Sequence, residues 1–72
     1  MLHLTVEREA RGWTKFELAR RARIHPAELG KIESGRLRPY PHQLEKLARA
    51  LHVATTDASR LLERVAEQPD VT

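Results

Sequence analysis

Seventy-two residues make one small domain with room for only a thin core and no enclosed active site. There is no cysteine, which excludes disulfide staples and thiolate metal sites and leaves packing or association to stabilise the chain. No run approaches the roughly 18 to 20 apolar residues of a membrane span, and charges follow Met1-Leu2-His3-Leu4 where a signal-peptide core would lie, so a cytoplasmic protein is expected.

The net charge of +3 is unevenly placed: residues 1–53 hold 11 Lys and Arg against 6 Glu, while residues 54–72 hold 2 against 4. Ten of the 13 cations are arginine, which suits bidentate phosphate contact and helix surfaces equally.

Apolar residues recur at three and four, Gly and Pro fall between the runs, and no alternating pattern occurs, so the chain is read as five short helices. The first runs from Leu2 or Thr5 to Arg11 and stops at Gly12, a residue that readily takes the left-handed helix stop. The second starts at Thr14, because Thr14-Lys15-Phe16-Glu17 spells a capping box and Trp13 and Leu18 are placed as a hydrophobic staple. Its inward face is Leu18, Ala19 and Ala22. It must end near Arg23, since His25-Pro26 opens a third helix with Pro at the favoured first position. Two helices joined by so short a turn cross steeply.

Helix three runs from Pro26 to about Glu33, with Leu29 and Ile32 inward and Ser34-Gly35 as its stop. A basic, proline-bounded connection, Gly35 to Pro41, leads to helix four, whose Leu44, Leu47, Ala48 and Leu51 form the clearest core stripe. Thr55-Thr56-Asp57 opens helix five, with Ala58, Leu61, Leu62 and Val65 inward until Pro69 ends it. Residues 1–68 are read as one domain and 69–72 as a flexible tail.

Helix, four-residue turn, helix, Glu-Ser-Gly, basic loop and proline follow one another from Thr14 to Pro39. With Arg8, Gly12-Trp13-Thr14, Leu18-Ala19, Ile24-His25, Leu29, Ile32-Glu33-Ser34-Gly35 and Leu44 to Val53, the sequence resembles the Cro and lambda-repressor-like helix-turn-helix family over residues 4 to about 62. The resemblance implies a compact, all-α, five-helix DNA-binding domain with its helix-turn-helix at helices two and three. It also implies that the N-terminal end of helix three enters the major groove of double-stranded DNA.

By the same resemblance, Pro26, Ala27, Glu28 and Lys31 are the base-reading positions, and Thr14, Lys15, Arg36, Arg38 and Gln43 lie near phosphates. Lys31 can reach guanine O6 and N7, Glu28 can accept from a cytosine amine, and Ala27 can touch a thymine methyl. Each also has a plainer use: Glu28 favours the helix dipole, Lys31 a solvated face, and Arg36 and Arg38 an ordinary loop. Arg8 and Glu33 resemble the family's buried ion pair, a scaffold role. Arg23 stands where the family places a glycine, Gly30 where it places a polar side chain, and Glu7 where it places an apolar one.

Trp13 and Tyr40 are read as core and hinge packing. His3, His25, His42 and His52 sit at no metal-ligand spacing, and Ser34 and Ser59 serve as a helix stop and a helix surface residue instead of nucleophiles. No enzyme activity, cofactor, metal or small-molecule ligand is expected. The expected function is sequence-selective DNA binding as a transcriptional regulator, a repressor, homodimeric through helix five. The competing reading is a protein-interaction module on a repressor-like fold, such as an antitoxin or regulatory partner, favoured by a reading face poor in donors.

Overall fold

The computed structural model of the protein describes residues 1–65. Along them run α1 (His3–Ala10), α2 (Lys15–Ala22), α3 (Pro26–Glu33), α4 (Pro41–Ala50) and a 3₁₀ helix, α5 (Thr55–Leu62). The expected tail 69–72 lies outside the described residues. None of the described helices is long and apolar enough to cross a membrane.

In α2, α3 and α4 the core is built where the periodicity placed it, and Leu4 of α1, which belongs to no such stripe, joins it. Leu4 of α1, Leu18 and Ala19 of α2, Leu29 and Ile32 of α3, Leu47 and Ala48 of α4, and Ala58 and Leu61 of α5 are all buried. Burying each large side chain contributes about 1.5 to 3 kcal/mol. α2 packs on α3 and α4, α4 packs on α5, and α1 closes the assembly against α5. Trp13 and Leu37, in the connections on either side of the α2–α3 unit, pack onto this core from its edge.

Four helices end by one device. Gly12, Arg23, Gly35 and His52 have φ of 72°, 59°, 83° and 59°, and the next residue donates its amide five residues back: Trp13 to Arg8, Ile24 to Ala19, Arg36 to Lys31 and Val53 to Ala48, at 2.8 to 3.2 Å. This left-handed stop satisfies helix carbonyls that would otherwise face no donor. It also turns an apolar residue, Trp13, Ile24 or Val53, back towards the core.

Helix five departs from its sequence pattern. It winds as a 3₁₀ helix, in which residues three apart eclipse, so Ala58 and Leu61 fall on one buried line. It ends at Leu62, not Pro69, because Glu63 turns extended at φ −75° and ψ 144°. The backbone there pairs with the start of the chain: the His3 amide donates to Glu63 at 2.7 Å and the Val65 amide to Met1 at 2.8 Å. Val65, expected inward, is therefore exposed, as is Met1.

α1 is amphipathic in an unusual way, since its inner face carries Arg8 and Thr5 as well as Leu4. The Arg8 guanidinium donates from Nε to Glu33 Oε2 at 2.9 Å, from Nη2 to Glu33 Oε1 at 3.1 Å and from Nη1 to the Trp13 carbonyl at 2.7 Å. The Thr5 hydroxyl adds a bond to Glu33 Oε1 at 3.1 Å. On the outer face, Glu7 pairs with His3 at 3.1 Å and with Arg11 at 2.7 Å. The hydrogen bond from Arg11 holds the Glu7 carboxyl below its usual range, and Arg11 Nη2 donates onward to the Leu51 carbonyl at the end of α4. Glu7 thus serves as the hinge of a polar strap from α1 to α4.

Removing one partner of a buried, hydrogen-bonded pair leaves the other charge desolvated and uncompensated. Arg8→Ala is expected to lower stability by about 3 to 5 kcal/mol, read as a fall in the denaturation midpoint. A midpoint equal to the parent's would show that the pair is not holding the fold.

Candidate nucleic-acid interface

The α2–α3 unit owes its geometry to polar groups at three chain positions. Thr14 caps α2, its hydroxyl accepting from the Glu17 amide at 3.0 Å. The reciprocal half of the expected capping box is absent. Glu17 instead accepts from Arg20 at 2.8 Å and Arg21 at 2.6 Å, one turn on. Those bonds, Arg20 first, hold its carboxyl below the usual range. Arg21 lies 4.4 Å over the Trp13 ring, a cation–π contact that ties the start of the unit to its own helix. Between the helices, Arg23 takes the left-handed conformation at φ 59° and ψ 47°.

α3 then begins under a cap that sequence reading missed. His25 is extended, and its Nδ1 accepts from the Ala27 amide at 3.1 Å, which requires that nitrogen to be unprotonated. Pro26 fills the first helical position, where no amide is needed. The signal was present, since a side chain with an acceptor immediately preceded Pro26, but histidine is not among the usual capping residues. At the other end, the Lys31 carbonyl accepts from the Ser34 hydroxyl and from the amides of Arg36 and Leu37 at 2.9 to 3.2 Å. This folds the basic loop against the foot of α3.

The positions singled out in the sequence fall into two groups. Pro26, Ala27, Glu28 and Lys31 are all exposed on α3, and Gly30 between them is half-buried. Thr14 and Lys15 at the start of α2 and Arg36 and Arg38 after α3 are exposed as well. Among the described residues none of Lys15, Lys31, Arg36 or Arg38 forms an ion pair. Arg8 and Glu33 lie apart from these, under the foot of α3, with side chains only 9% and 3% exposed.

Gln43, at the third position of α4, is half-buried and already engaged. Its Oε1 accepts from the Tyr40 amide at 3.0 Å, and its Nε2 donates to Glu28 Oε1 at 3.1 Å. One amide proton of Gln43 stays unused by these bonds. No sequence signal marked this contact, because it spans 15 residues and depends on how α3 and α4 cross. Tyr40 is 68% exposed and stacks on His42 at 5.8 Å, so it is not a packing residue as the sequence suggested. Phe16, 64% exposed in the first turn of α2 beside Lys15, was also not singled out. Among the described residues no group of three or more His, Asp or Glu is arranged to hold a metal ion.

The arrangement presents a short helix whose first turn is exposed, preceded in the chain by Lys15 and followed by Arg36 and Arg38, which are exposed and in no ion pair among the described residues. A family model described as a helix-turn-helix domain matches residues 2–62 of the chain. Neither a curated protein nor a solved structure gives a match.

A non-glycine residue in the left-handed region carries strain of about 1 kcal/mol or more that glycine does not. Arg23→Gly is therefore expected to raise stability by up to about 1 kcal/mol, and Arg23→Val, β-branched, to lower it. Paired thermal melts decide: a lower midpoint for the glycine variant would show that the Arg23 side chain holds the turn.

Proposed function

The chain belongs to the helix-turn-helix domain family, and from that premise we propose that it binds duplex DNA sequence-selectively as a transcriptional regulator, a repressor that acts by occupying its site. The observation that carries this reading is the exposed row Pro26, Ala27, Glu28 and Lys31 on α3, with exposed Lys15, Arg36 and Arg38, none of them in an ion pair among the described residues, before and after it in the chain. A helix offered in this way fits the major groove, where each base pair presents a distinct edge. The flanking cations meet the two backbones, which supplies most of the affinity and makes it salt-dependent.

In this reading Glu28 accepts from a cytosine amine, Lys31 donates to guanine, and Ala27 and Pro26 meet a thymine methyl or groove shape. Thr14, whose hydroxyl proton is unused by its cap, joins Lys15, Arg36, Arg38 and the free proton of Gln43 at phosphates. One such helix makes few base contacts, so two copies pair about a two-fold axis on a palindrome. The region around α5 is the pairing element, supported by Met1 and Val65, two exposed apolar residues brought together by the terminal bridge. Residues 1–68 act as the DNA-binding domain, in the cytoplasm on the nucleoid. A protein-interaction role on the same fold is favoured by one feature: Lys31 is the only long cation on α3.

An unbiased selection of duplex sequences by the purified chain tests the proposal. It should return a palindrome with half-sites about one helical turn apart; retention that depends on neither sequence nor salt would favour a protein partner. Replacing Arg36 and Arg38 together by Ala should weaken binding to all duplexes and flatten the salt dependence by about one unit per lost contact. An unchanged slope would remove that loop from the backbone.

Lys31→Ala should cost about 1 to 3 kcal/mol at the selected site and relax preference at one base pair per half-site. Lys31→Gln should move that preference towards adenine. A motif unaltered by either change would limit Lys31 to phosphate contact.

A further inference from the structure

We propose that Gln43 is a positioning residue for base selection, holding the Glu28 carboxylate out towards the major groove; this rests on the DNA-binding reading above.

Glu28 is the third residue of α3, after Pro26 and Ala27. A glutamate there ordinarily turns back to bond the amide of the capping residue, completing a capping box. Glu28 makes no such bond. Its Oε1 accepts from Gln43 Nε2 at 3.1 Å, on a different helix, and the His25 ring alone caps α3.

Gln43 is itself oriented. Its Oε1 accepts from the Tyr40 amide at 3.0 Å, so turning the amide over would set one N–H against another at Tyr40 and one oxygen against another at Glu28. The amide is therefore locked with its donor towards Glu28. Being neutral, it directs the carboxylate without discharging it, as a lysine at 43 would. The second Glu28 oxygen has no partner among the described residues. An unprotonated carboxylate accepts and cannot donate, so in the major groove it is matched by the cytosine amine and repelled by guanine O6 and N7 and by thymine O4. Adenine offers an amine with an acceptor beside it and is the poorer match. Gln43, which touches no base in this arrangement, sets the preference through Glu28.

Duplex selections with the full chain and with Gln43→Glu, Gln43→Leu, Glu28→Ala and the Glu28→Ala/Gln43→Glu double variant test the assignment. Glutamate at 43 can still accept from Tyr40 and so keeps the α4 cap, while it repels Glu28; leucine removes the contact without adding charge. Both single changes at 43 should lower the cytosine preference by about three- to tenfold, at the same position that Glu28→Ala relaxes. In the Glu28→Ala background, Gln43→Glu should change no base preference. The thermal midpoint of Gln43→Glu should fall only slightly, as for any exposed contact, so that the lost cytosine preference is not a loss of fold; a large fall would assign Gln43 a structural role.

A cytosine preference intact in both variants at 43, with Glu28→Ala relaxing it, would overturn the positioning role and leave the DNA reading standing. Equal weakening on every sequence with the cytosine preference intact would limit Gln43 to its phosphate contact and also overturn the positioning role. A parent chain that selects no duplex would bring down the DNA reading, and this inference with it.

Discussion

A buried carboxylate at a helix C-terminus is the constraint from which the rest of the architecture follows. Glu33 is the last residue of α3, where the helix dipole disfavours negative charge, and its side chain is almost wholly removed from water. Such a group is tolerable only with a charge partner and full hydrogen bonding. Arg8 and Thr5 meet both needs from α1 and, through the Trp13 carbonyl, bind the connection between α1 and α2 at the same time. Every buried side-chain polar atom among the described residues finds a partner. The consequence is positional: the foot of α3 is fixed relative to α1 and to the start of α2, so the exposed side of α3 is held at a set angle to Thr14 and Lys15.

How much of this could be read in the sequence depends on whether each feature is local. The apolar stripes of α2, α3 and α4 were legible because helical period alone decides which residues face inward. Gly12 and Gly35 announced two left-handed stops, while Arg23 and His52 form the same stop without the residue that advertises it. The start of α2 was legible through Thr14, but the carboxylate of Glu17 was not, since two arginines one turn on compete for it. Helix five was misread at its end for a tertiary reason. Pairing of Glu63 and Val65 with the N-terminal segment takes the backbone groups that a longer helix would need.

The candidate interface divides along the same line. Exposure of Pro26, Ala27, Glu28 and Lys31 follows from the burial of Leu29 and Ile32 on the opposite side of a single helix, and so was visible in the periodicity. The partnership of Gln43 with Glu28 joins two helices across a loop and has no local signature. Its effect is to turn an isolated acidic side chain into one with a defined direction.

The charges complete the division of labour. Arg8, Arg11, Arg20 and Arg21 are used internally, against Glu33, Glu7 and Glu17. Lys15, Lys31, Arg36 and Arg38 are left without ion pairs among the described residues. These exposed cations outnumber Glu28, the exposed carboxylate of α3, and cations attract every duplex alike. Against that background, in the proposed complex with DNA, Glu28 acts in the opposite sense. Its charge is unfavourable next to phosphates and next to acceptor-bearing base edges, and is offset only where an amine is presented. In that reading a single acid in a cationic surround weakens binding wherever no amine is presented, and the difference between such sequences and the one that offers an amine is what selectivity consists of.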